Sequence, residues 1–185
     1  GTLVFSPEQN DWDYYEAWNF AQAAFVETGD ADQLDFPQNA AYIDLQDDAT
    51  VPFYGVHYRR LLVYRDGRID LVDAVDAKAG AKSGHTSSPA FWDHFGEAGV
   101  SVLPGAYDVR YKQLEDALVV MFIESASNEV VAQVVFWFDG EVWLSHYAGA
   151  GAAGAAGLSL GDIPQGWEWA ESDLSSYPLR NTSNI

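Results

Sequence analysis

The chain of 185 residues carries 28 acidic against 9 basic residues, a formal charge of −19, with 48% hydrophobic residues and no cysteine. That length and apolar content suffice for the core of one ordinary domain, taken as residues 1–185, and the missing cysteine excludes disulfides, thiolate metal sites and cysteine nucleophiles. The charge argues against direct binding of nucleic acid or an anionic membrane, and no window reaches the run of about 18 apolar residues that a membrane span needs.

Scattered acids with scarce lysine fit hydration and screening at high salt. The charge is also patterned: residues 1–58 hold 11 acids and no Lys or Arg, residues 59–112 seven acids and eight bases, and residues 113–185 ten acids and only Arg180 as a base. Gathered on one side, Arg59, Arg60, Arg65, Arg68, Lys78, Lys82, Arg110 and Lys112 would form a basic face that attracts the acidic flanks of a second copy. The plainer alternative is that each base pairs with a nearby Asp.

At the N-terminus, Thr2, Leu3, Val4 and Phe5 form a short β-prone segment, and residues 1–10 lack the basic start and apolar stretch of a signal peptide. Ser6-Pro7-Glu8-Gln9 then offers a capping hydroxyl, Pro at the first helical position and Gln for a capping box. The spacing of Tyr14, Trp18, Ala21 and Phe25 predicts a helix from there to a stop at Thr28-Gly29. Asp30, Asp32 and Asp35 follow in a loop.

From residue 41 the period turns strand-like, over 42–45, 56–64 and 69–75, with Asp66-Gly67 as a hairpin signal between the last two. Residues 77–89 read as a long polar loop and 90–97 as a short helix. Residues 107–113, 117–124, 130–138 and 141–147 read as an antiparallel meander with turns at 125–129 and Asp139-Gly140. The segments 118–123 and 134–138 are apolar on both faces, so both faces of their sheet need cover from a second sheet, the C-terminal segment or a neighbouring subunit. Residues 148–157 are almost pure Gly and Ala, and the C-terminal extension 158–185 holds Trp167 and Trp169, poor candidates for free solvent. The expected fold is α+β, an N-terminal helix packed on a mainly antiparallel sheet with a C-terminal β-meander; the alternative is a β-sandwich with a peripheral helix.

The motifs with catalytic associations fail on context. Gly149-Ala150-Gly151-Ala152-Ala153-Gly154 matches a dinucleotide fingerprint, but too little chain follows for the βαβ unit that the fingerprint serves. Gly157-Leu158-Ser159-Leu160-Gly161 matches a nucleophile elbow, but no His follows it. His57, His85, His94 and His146 lack metal-ligand spacing; His85 and His94 would form a site only if folding brought them together. Asp70, Asp73 and Asp76 are the candidate ligands for Ca²⁺ or a monovalent cation, without EF-hand spacing, and no organic cofactor is expected. Asn181-Thr182-Ser183 is a glycosylation sequon that matters only in an exported protein.

These readings point away from an enzyme and toward a structural or interaction protein, a subunit of an extracellular, cell-surface, filament or virion assembly adapted to high salt. Its expected interface is Thr2–Phe5 as an added strand, Arg59 and Arg60, and Trp167 and Trp169, with a second copy or other assembly members as partners. Two alternatives are a small-ligand enzyme or binding domain with an aromatic-lined pocket, and an acidic mimic of nucleic acid.

Overall fold

The structure, a computed structural model, describes residues 1–8, 11–20, 22–53, 55–75, 99–102, 105–147, 155–159 and 172–173. In chain order its strands are β1 (Thr2–Glu8), β2 (Asp11–Phe20), β3 (Asp32–Gln33), β4 (Ala40–Asp44), β5 (Val51–Phe53), β6 (Val56–Tyr64) and β7 (Arg68–Ala74). They continue with β8 (Gly99–Ser101), β9 (Tyr107–Gln113), β10 (Ala117–Glu124), β11 (Glu129–Trp137), β12 (Val142–His146), β13 (Ala155–Ser159) and β14 (Ser172–Asp173). The first sheet runs β2-β1-β12-β11-β10-β9-β3, and the second runs β14-β13-β8-β7-β6-β4 with β5 also on β6; every pairing is antiparallel.

The two sheets pack face to face. Leu3, Phe5, Leu118, Phe122, Phe136 and Leu144 of the first sheet share one buried cluster with Ile43, Phe53, Leu61, Val63, Ile69 and Leu71 of the second. Alternation puts these residues on the inner faces, and burying them supplies the main driving force for the sandwich. The turns follow their sequence signals: Gly67 and Gly140 take φ of 96° and 100°, a region that β-carbon sterics close to most residues.

The fold overturns the α+β expectation, because no helix occurs among the described residues. The segment expected to cap and carry the N-terminal helix forms a hairpin instead, β1 on β2, with Thr2 opposite Phe20 and Pro7 opposite Tyr15. Trp12, Tyr14, Trp18 and Phe20 recur at even positions, a period of two, so Tyr14 and Trp18 satisfy a helical and a strand spacing at once. Aromatic-rich composition and pairing of β1 with β12 decide for the strand, overriding the local capping signal. Pro7 sits where the register shifts, a position that tolerates its missing N–H. The helix expected over 90–97 and the loop over 77–89 lie outside the described residues.

The cover demanded by the twice-apolar strands comes from this same segment. Residues 22–31 leave β2 at one end of the first sheet and cross its outer face to β3 at the other end. Twelve residue steps from Phe20 to Asp32 reach at most about 40 Å, ample for the roughly 29 Å of six inter-strand spacings. Val26 and Ala31 pack on a second buried cluster of Ala117, Val119, Met121 and Val135. The strap is anchored by polar groups: the Val26 N–H donates to Gln133 Oε1 at 2.9 Å, and Gln133 Nε2 donates to the Val26 carbonyl at 3.0 Å. The Ala24 N–H donates to Thr2 Oγ1 at 2.7 Å, and the Tyr147 hydroxyl donates to the Ala24 carbonyl. Burial pushes the Tyr147 hydroxyl up to about 12, which keeps it a donor.

Candidate functional site

On the outer face of the first sheet, beside its terminal strand β2, lies an open groove of about 700 Å³. Its floor is β1, whose alternation turns Leu3 and Phe5 into the core and Thr2, Val4 and Ser6 outward. Trp18 and Phe20 of β2 form one wall, each 53% exposed, and Trp143 of β12 forms the other. Val4 is registered against both Trp18 and Trp143, so the two indoles rise from backbones two strand spacings, about 10 Å, apart. Gln22, Ala23 and Ala24 of the strap bound the groove where the chain leaves β2.

Glu141 supplies the charge in the groove. Its Oε2 accepts from Ser6 Oγ at 2.7 Å and its Oε1 accepts from the Trp143 indole N–H, which fixes the carboxylate and the indole relative to each other. Trp143 is backed by Trp137, with ring centroids 5.2 Å apart at 66°, an edge-to-face contact. Among the described residues no Lys or Arg lines the groove. It is thus an aromatic trough with a positioned anion.

The sequence-derived candidates are dispersed. Both edges of β1 are occupied, by β2 and β12, so Thr2–Phe5 contributes the groove floor and the core, and it has no open edge to add to a neighbour. Arg59 lies 3.8 Å from Asp48, and Arg60 pairs with Asp44 while its guanidinium stands 5.1 Å from the centre of the Tyr42 ring. Arg65 pairs with Asp108 at 3.1 Å, and Arg110 bonds Gln33 and Asn128, so these bases are neutralised or bonded by nearby side chains. Lys78, Lys82, His85, His94, Trp167, Trp169, Asn181 and the Gly/Ala run at 149–154 lie outside the described residues.

Of the aspartate trio, Asp70 is buried and 3.3 Å from Arg68 Nε, within ion-pair range although the atoms are not aligned as a hydrogen bond. Arg68 in turn stacks 3.7 Å over the Tyr64 ring, whose hydroxyl is pushed up to about 12 by burial and then by the Asp70 charge. Asp73 is exposed and Asp76 lies outside the described residues. Among the described residues no three His, Cys, Asp or Glu side chains gather as metal ligands. Ser159 lies in β13 opposite Gly99, an extended strand without the strained turn of a nucleophile elbow.

His57 is exposed and bonds Thr50 Oγ1 through Nδ1 at 3.0 Å. His146 faces the core, and among the described residues neither of its ring nitrogens has a hydrogen-bond partner; burial lowers it to about 4.

The groove residues escaped the reading of the sequence for a traceable reason. The helical spacing places Trp18 on the buried stripe of a helix and Ser6 at its cap, and Trp143 and Glu141 carry no motif. The available signal was alternation over 142–146, which sets Trp143 opposite in facing to Val142 and Leu144. No family model matches the chain, nor does any curated protein or solved structure. The fold and groove therefore define a class by architecture: an acidic two-sheet β-sandwich with an open aromatic groove at one sheet end.

Proposed function

We propose that the chain is a non-enzymatic interaction subunit of a surface, filament or virion assembly that works in high salt, and that it joins its neighbours through the β2 end of the first sheet. The observation that carries this reading is the pair of half-exposed aromatics, Trp18 and Phe20, on a ten-residue terminal strand. Among the described residues, the outward edge of β2 meets no strand. Such an edge presents main-chain donors and acceptors in register for another chain, and natural proteins commonly shield it with short strands, charge or a covering segment. Exposed aromatic side chains beside it add apolar area that water leaves favourably. The charge of −19 opposes association of identical copies at low ionic strength, while at molar salt the screening length falls to about 3 Å and that opposition fades.

The test is light scattering coupled to gel filtration in molar salt over a wide range of protein concentration. Association that grows with concentration, and is lost in a Trp18→Ser/Phe20→Ser variant that keeps its fold, is the expected result. A wild-type chain that stays strictly monomeric throughout overturns the reading.

A further inference from the structure

We infer that the groove between Trp18 and Trp143 receives an arginine-bearing extended segment of a partner protein, with the guanidinium on Glu141 and the aliphatic stem on Val4. This goes beyond self-association and holds whether or not the chain associates with itself. Charge selects the class of occupant. Among the described residues the groove contains a carboxylate, Glu141, and no Lys or Arg; apart from Glu141 and Trp143 its lining comes from residues 1–58, which hold no base at all. An anionic segment would meet Glu141 without compensation, whereas a cationic one is complementary.

The shape of the trough selects arginine among cations. The floor from Thr2 to Ser6 is about 13 Å long, four residue steps of extended chain, and the strap closes one end. Thr2 Oγ1 is already bonded to Ser145 and to the Ala24 N–H, so the floor near the strap offers an incoming segment little to bond and favours an apolar stem. At the other end Glu141 uses each oxygen once, for Ser6 and Trp143, and a carboxylate has about four lone-pair sites, so both oxygens still accept. A planar guanidinium can donate to a carboxylate in a two-pronged manner and stack on an indole face; an ammonium is a compact, strongly hydrated point charge and does neither as well. Contact at this range is only weakly screened, so it survives salt that abolishes distant attraction.

The test titrates the intact chain with an acetylated, amidated hexapeptide alternating Val and Arg, and with its Val/Lys counterpart, in about 1 M salt, where the screening length of about 3 Å suppresses non-specific polycation binding. The readout is the set of indole N–H resonances in two-dimensional NMR, assigned by single Trp→Phe variants. The Arg peptide is expected to move the Trp18 and Trp143 resonances and to bind at least fivefold more tightly than the Lys peptide. Glu141→Gln is expected to weaken it roughly tenfold, the usual scale for losing a charged partner. Trp18→Leu, at a half-exposed position that leaves the fold intact, gives a second loss independent of Glu141. Equal binding of both peptides, no effect of either substitution, or no binding at all overturns the inference. Arginine amide binding as tightly as the peptide also overturns it, by assigning the groove to a free cation. The titration is run at a protein concentration below that at which the chain associates, so the readout is binding by the dispersed chain and its failure is distinct from failure to self-associate.

Discussion

His146 and Gln133 show how differently a buried polar side chain behaves with and without partners. His146 has none among the described residues, and its burial disfavours the charged form. Below its ordinary value of about 6.5 the unfolded chain takes up a proton that the folded core refuses, so stability falls as pH drops from about 6.5 towards 4. The loss attributable to this one residue is about 3 kcal/mol once pH lies below 4. His146→Leu should be as stable as the wild type or more so at pH 7, and its advantage should widen by about 3 kcal/mol by pH 4, read from urea unfolding at a series of pH values. A constant difference across that range contradicts the assignment. Gln133, by contrast, is satisfied twice by the Val26 backbone. Gln133→Leu leaves that N–H and carbonyl without their partner and should cost about 2–3 kcal/mol in the same unfolding measurement, whereas a loss below about 0.5 kcal/mol would show that water replaces the side chain freely.

Among the elements, the strap at residues 22–31 has the least regular structure and a central role, since it covers the apolar outer face of β10 and β11. Its main-chain bonds go to side chains, Thr2, Gln133 and Tyr147, and they are local in effect. Hydrogen exchange should therefore find the Ala24 and Val26 amides protected, though less than those of β10 and β11, which are bonded within the sheet. In Gln133→Leu the Val26 amide should lose its protection first while Val119 and Val135 keep theirs. Simultaneous loss at all three sites would mean that strap and sheet open as one unit. At this scale the sequence was partly legible. The strands at 56–64, 107–113 and 117–124 have the bounds that the sequence predicts, because each is a β-prone run closed off by turn signals. The need for cover on both faces of 118–123 and 134–138 was legible as well, but its source was not: the covering residues read as a helix because Tyr14, Trp18, Ala21 and Phe25 fall at helical intervals.

Across the whole molecule, charge is the dominant physical fact. With 28 acids and 9 bases, and with Arg59, Arg60, Arg65 and Arg68 already facing Asp48, Asp44, Asp108 and Asp70, most remaining carboxylates have no basic residue left to offset them. Their mutual repulsion should make the fold strongly dependent on ionic strength. Thermal midpoints should rise steeply between about 0.1 M and 1 M salt, as the screening length contracts from about 10 Å to about 3 Å, and then level off. Sodium and potassium chloride should act alike if screening is the cause; a marked preference for one cation, or for millimolar Ca²⁺, would instead indicate a bound ion. The described strands carry no continuous basic face, since Arg59, Arg60, Arg65 and Arg68 each face an Asp, at Asp48, Asp44, Asp108 and Asp70.

By itself the sequence determined the acidity, the absence of thiol chemistry, the antiparallel strands of the second half and the demand that two of them be buried on both faces, all consequences of composition and of local period. Only the tertiary structure decided that residues 11–20 are a strand, that residues 22–31 are the missing cover, and that Ser6, Trp18, Glu141 and Trp143 meet in one groove. Those outcomes depend on contacts between segments more than 100 residues apart, as in the pairing of Val4 with Trp143. A local pattern carries no record of such a partner, and where two periods fit the same aromatics, the partner chooses between them.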